Sequence, residues 1–95
     1  MVVGFGTIEL RLHGVYSLKE KRSVVRSVVQ RVQNQFHISV AEVGALDEHE
    51  RAVVGFAVVT NDGRLANSIL DKVVDAVEDF GLAEVGSVEI DVMHT

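Results

Sequence analysis

Cysteine, proline and tryptophan are absent from this 95-residue chain, and aromatic residues make up only 5% of it. Without cysteine there is no disulfide, no thiolate nucleophile and no cysteine-ligated metal or iron–sulfur cluster. Without proline, low-complexity tracts or internal repeats, nothing marks a linker, so residues 1–95 read as one domain. The longest apolar run, Ala52 to Val59, is far too short to cross a bilayer. Met1-Val2-Val3-Gly4 lacks the basic segment of a signal peptide. The expectation is a cytoplasmic protein with no membrane partner.

What is present suits a folded domain: 47% hydrophobic residues and 24% charged ones. The net charge of −5 conceals an uneven distribution, with residues 1–40 at +4 and residues 41–95 at −9. An acidic average argues against indiscriminate binding to nucleic acid, but a basic face on an acidic body can still dock on one.

Ile8, Leu10 and Leu12 alternate with Thr7, Glu9 and Arg11, which predicts a strand over Val3 to His13 with one wet face. Leu18, Val25, Val28, Val29, Val32 and Phe36 fall on one helical stripe, so a helix is expected from Ser17 to about Phe36. Its run of valines gives it mediocre propensity, and packing must hold it. Ile38 to Val43 reads as a second strand, and Arg51 to Thr60 as a third that is apolar on both sides and therefore central. Asn61-Asp62-Gly63 supplies a turn and an N-cap for a second helix carrying Leu65, Ile69, Val73, Val77 and Phe80, closed by Gly81. Val88, Ile90 and Val92 alternate in a last, half-buried strand, with a bulge expected near Gly86. The order βαββαβ predicts an α+β, ferredoxin-like sandwich: a four-stranded antiparallel sheet with two helices on one face. The other face, carrying Phe5, Thr7, Glu9 and Arg11, is left as a candidate dimer or ligand surface.

Ser17-Leu18-Lys19-Glu20-Lys21-Arg22 is the densest motif. Ser17 and Glu20 have capping-box spacing, the hydroxyl accepting from the Glu20 N–H while the carboxylate returns to the Ser17 N–H. Lys19, Lys21 and Arg22 then crowd cations into a first turn where the helix macrodipole favours anions. With Arg26 they form a candidate contact face for RNA or a protein partner, Lys19, Arg22 and Arg26 lying at i, i+3 and i+7 in a stripe continuing through Gln30 and Gln33. The alternatives are a merely solvated face, or pairing with Asp71, Asp75 and Glu78 on the second helix.

These six residues, with Val40-Ala41-Glu42-Val43-Gly44 and Arg51-Ala52-Val53-Val54-Gly55 running to Asn61-Asp62, resemble the YlxP-like family of small bacterial proteins of unknown function. The resemblance implies a ferredoxin-like fold and a gene neighbourhood containing translation-initiation and ribosome-maturation factors, and it brings no catalytic residues. Many relatives carry a proline just before the Ser-Leu-Lys motif, where this chain has Gly14-Val15-Tyr16.

Other chemistry is thinner. His13, His37, His49 and His94 show no metal-ligand spacing. Gly4-Phe5-Gly6 lies within a strand rather than opening a helix, unlike a dinucleotide fingerprint. Base stacking on the open sheet face has only Phe5 and Phe56 to draw on. An acylphosphatase-type cradle would leave Arg22 without a strand-2 asparagine. The sequence therefore points to a non-enzymatic interaction module without cofactor or metal, a homo-oligomer that contacts ribosomal RNA or a ribosomal protein through its first helix. The alternative is a homodimeric structural or small-ligand-sensing domain with no nucleic-acid role.

Overall fold

The computed structural model describes residues 1–95. Its elements run β1 (Val2–Arg11), α1 (Leu18–Phe36), β2 (Ser39–Gly44), β3 (Arg51–Thr60), α2 (Gly63–Phe80) and β4 (Glu84–His94). The sheet order is β2-β3-β1-β4, with every neighbouring pair antiparallel. This is the ferredoxin-like arrangement, with β1 and the most apolar strand, β3, at its centre.

Alternation decides which way each strand faces. Ile8, Leu10 and Leu12 from the β1 side, and Ala52, Val54 and Phe56 from β3, are buried under the helices. They meet Val25, Val28 and Val32 of α1 and Leu70, Val73 and Val77 of α2 in one continuous core. Gly4 lets α2 come close, since a Cβ there would lie 3.2 Å from both Ala66 Cβ and Leu70 Cδ1. Phe56 is 4% exposed and faces this core, so it is not on the open face where the stacking argument placed it. The third strand's apolar character on both sides hides its parity. The pairing Gly6↔Phe56 resolves it, because the ring lies over the side-chain-free Gly6.

The expected bulge is present, between the Ile8↔Val88 and Leu10↔Val85 pairs. A second shift lies in β2, between Glu42 and Gly44. The last strand begins at Glu84, and Val88 and Ile90 are 37% and 39% exposed because β4 is an edge strand. Helix α1 ends on His37 in the left-handed region (φ 55°), its N–H donating to Gln33 O, whereas α2 ends on Gly81, for which that conformation carries no Cβ penalty. The chain ends meet: the Met1 ammonium donates to Thr95 O at 3.0 Å and the Thr95 N–H to Met1 O at 2.8 Å. No helix is long and apolar enough to cross a membrane.

Candidate functional site

The Ser17–Arg22 motif sends its side chains in three directions. Ser17 is the N-cap in extended conformation, and its Oγ accepts from the Glu20 N–H at 3.1 Å. The Glu20 carboxylate closes the cap on the Tyr16 N–H at 2.9 Å, one residue earlier than the expected Ser17 amide.

Lys21 goes inward. It is 1% exposed, and its ammonium donates to Ala45 O and Glu48 O at 2.5 Å each, with Glu42 Oε2 3.0 Å away. The Glu42 oxygen is held by charge rather than by an aligned hydrogen bond, since it has no hydrogen-bond partner. Lys21 therefore leaves the expected surface cluster: it is a structural cation that ties the first turn of α1 to β2 and the β2–β3 loop. The physical reason is its position, four residues before Val25 on the stripe that faces the sheet. Ala45, one of its acceptors, sits at φ 58°, a conformation unfavourable for an L-residue and stabilised here by that bond.

Lys19, Arg22 and Arg26 remain outside. With Ser23 they line a shallow hollow of about 390 Å³ on the exposed side of α1. None of the three has a carboxylate within ion-pair distance, whereas Arg11, Lys21 and Arg51 all do. The alternative pairing with α2 does not form: Asp71, Asp75 and Glu78 are exposed and make no ion pair with α1. Among the contacts between the helices, the Arg31 guanidinium lies 5.6 Å from the centre of the Phe80 ring. The stripe is shorter than expected, because the Gln33 amide turns to Val40 O at 3.4 Å. At the start of α2 the Asp62 carboxylate caps the Arg64 and Leu65 N–H groups, occupying the place a phosphate would take.

The open sheet face divides into a charged end and an apolar remainder. Glu9 accepts from Arg51 Nε at 2.6 Å, Arg11 Nε at 3.2 Å and the Ser87 N–H at 3.5 Å. Arg51 also reaches Glu48 at 3.2 Å, and His13 reaches Glu84 at 2.7 Å. The Arg51 hydrogen bond holds the Glu9 carboxyl below the usual carboxylate value, against a desolvation that raises it, with the Ser87 N–H and the Arg11 charge adding to the lowering. The same contact raises Arg51, and the His13 hydrogen bond lowers Glu84. Glu9 and Arg11 are thus committed to one another and to their neighbours, while Phe5 and Thr7 are free of side-chain hydrogen bonds and ion pairs. Phe5, 38% exposed, borders the first of two depressions that meet at Thr7. One is lined by Phe5, Thr7, Glu89 and Asp91, the other by Thr7, Ala41, Val43, Gly55 and Ala57. Only register could have revealed the Glu9–Arg51 contact, because the two residues are 42 positions apart.

The four histidines stay apart: His13 pairs with Glu84, His37 caps α1, His49 lies in the β2–β3 loop and His94 packs beside Gly63. No group of three or more histidine or acidic side chains is placed to hold a metal ion.

Among solved structures the fold is similar to a de novo designed protein, LFR1 1, with ferredoxin fold. The TM-score is 0.58 at 12% identity, over 100% of this chain and 87% of that one. It is also similar to the structural-genomics protein YJCS, at TM-score 0.51 and 10% identity over 94% and 96% of the two chains. These likenesses concern the fold alone. In sequence the chain is 33% identical to the uncharacterized protein YlxP of Bacillus subtilis (strain 168) over 79 residues, 83% of this chain and 86% of that protein. Residues 3–90 match the family described as protein of unknown function (DUF503), and with this relative in agreement the chain belongs to that family.

Proposed function

We propose that this protein is a non-catalytic interaction module that binds the phosphate backbone of RNA through Lys19, Arg22 and Arg26. The observation that carries the reading is that these three cations share one hollow of α1 and have no carboxylate partner, although acids outnumber bases 14 to 9 in the chain. Cations left unpaired on an acidic protein lose no internal contact when they meet an external anion, and the acidic remainder turns that one face toward a polyanion. Ser23 adds a hydroxyl donor to the same hollow. Ribosomal RNA is the first polymer to test, given the gene neighbourhood that the family resemblance implies.

The test is binding of fluorescent single-stranded ribosomal RNA fragments and of purified ribosomal subunits across a salt series. Three phosphate contacts predict a log–log salt slope of about −2 for single strands. The triple variant Lys19→Glu/Arg22→Glu/Arg26→Glu should abolish binding while stability stays within about 1 kcal/mol of wild type, because exposed charges contribute little to folding. Binding that survives the reversal, or that ignores salt, would rule α1 out as the contact face.

A further inference from the structure

We propose that the open face of the sheet is occupied by a second copy of this chain, with Phe5 of each copy seated in the basin formed by Ala41, Gly55 and Ala57 of the other. Four of the exposed large hydrophobic residues, Phe5, Val43, Val59 and Met93, lie on this uncovered side. The centre of the face is small: Thr7 pairs with Gly55 and Phe5 with Ala57, and Ala41 lies across from Gly55 on β2. A projecting ring therefore stands directly beside a shallow hollow of about 340 Å³ lined by Thr7, Ser39, Ala41, Gly55 and Ala57 and bounded by Val43, whose methyls lean over Gly55.

Knob and hollow on one surface are what a two-fold contact requires, because the same patch must complement itself. A two-fold axis running along the strands between β1 and β3 carries Phe5 of one copy onto the hollow of the other. It stacks the two sheets face to face, as in aligned sheet packing.

Charge selects this occupant. The face carries no unpaired cation, since Arg11 and Arg51 are both held by Glu9 and by further acids at the same end. A phosphate polymer has nothing to neutralise it there, whereas another apolar sheet needs no counter-charge. Glu89 and Asp91 lie on edge strand β4, where they stay at the wet rim. Size agrees as well. Four strands of up to about ten residues present a face of about 600 Å². Two such faces bury about 1,200 Å², the lower end of the range for specific interfaces. The helices then lie on the two outer surfaces, so the Lys19, Arg22 and Arg26 hollows point away from the contact. This inference stands independently of RNA binding.

Sedimentation equilibrium of the wild type should show, at micromolar to millimolar concentration, a species of twice the 10.4 kDa chain mass. Phe5→Glu and Ala41→Arg, both at exposed positions, should each raise the dissociation constant at least about tenfold with an unchanged circular dichroism spectrum. An equimolar mixture of the two should recover the dimer. In the mixed pair the introduced carboxylate faces the introduced guanidinium, and the second Phe5 contact is intact. Should Phe5→Glu lose its native spectrum, Thr7→Lys at the centre of the same face carries the dissociation prediction. The Lys19→Glu/Arg22→Glu/Arg26→Glu variant should dimerise as wild type does. A wild type monomeric throughout, a face variant with unchanged dissociation constant, a mixture as dissociated as its components, or loss of the dimer in the helix variant would each overturn the proposal.

Discussion

Replacing Lys21 with methionine keeps the length and apolar stem of the side chain and deletes one ammonium, so the effect measures what the charge does. Two carbonyls lose their donor, Ala45 O and Glu48 O, and the Glu42 carboxylate loses its counter-charge. A buried acceptor left unpaired costs about 1–3 kcal/mol, and removing one partner of a buried ion pair about 3–5 kcal/mol. Glu42 keeps 18% of its side chain accessible, and the carbonyls belong to a surface loop, so water compensates in part. The expected loss is about 3 kcal/mol. For a domain of this size that lowers the melting temperature by about 15 °C. Urea denaturation should show the midpoint falling with an unchanged slope, the sign of lost stability rather than of altered compactness. Glu42→Leu added to Lys21→Met should recover part of the loss, because the stranded carboxylate is then gone as well. Lys19→Met, two residues away and exposed, should shift stability by no more than about 0.5 kcal/mol. A Lys21→Met loss below about 1 kcal/mol, or equal effects at positions 19 and 21, would refute the assignment of Lys21 to the interior.

Ser17→Ala should cost about 1 kcal/mol in chemical denaturation by removing the acceptor of the Glu20 N–H, without altering oligomeric state; a shift of zero would mean that the cap bond contributes nothing. Stability should also fall in acid. The carboxyls of Glu9 and Glu84 are lowered from an ordinary 4.5 in the folded protein. Their contribution is therefore complete above that value and disappears as pH drops through the folded values below it. Glu9→Gln should flatten the part of the denaturation-versus-pH curve below 4.5 that belongs to Glu9, and an identical curve would remove the Arg51 contact as its cause.

The periodic elements were legible because burial imposes periods on the sequence: two in β1, between three and four in both helices. Turn chemistry was legible at Asp62 and Gly81, where a cap residue can do little else. Lys21 is deceptive in sequence because its neighbours Lys19 and Arg22 are exposed cations and give it the look of a surface cluster. The signal against it was present in the spacing of positions 21, 25, 28 and 32, which places the lysine on the valine stripe. A lysine on such a stripe is tolerated only if something acidic or carbonyl-rich lies across from it, and that partner belongs to another element. Phe56 and the Glu9–Arg51 pair were hidden for a related reason. Parity in a strand apolar on both faces, and contacts across strands, depend on register, which local pattern does not carry. What was legible of the candidate site was the part that needs only one helix: Lys19, Arg22 and Arg26 at positions that share one side.

The mutual hydrogen bonds of Met1 and Thr95 make the backbone nearly a ring. Extensions fused to either end emerge from the same corner, beside Gly63 and at the opposite end of β1 from Ser17, so affinity handles or fluorophores there stand clear of the basic turn. A linker of a few residues would join the ends, and the backbone could then be opened at the exposed Gly14 turn instead, leaving all four strands and both helices whole. Such a permutant would retain the sheet order while detaching the Ser17 cap from β1, which isolates what that connection contributes to positioning the first helix.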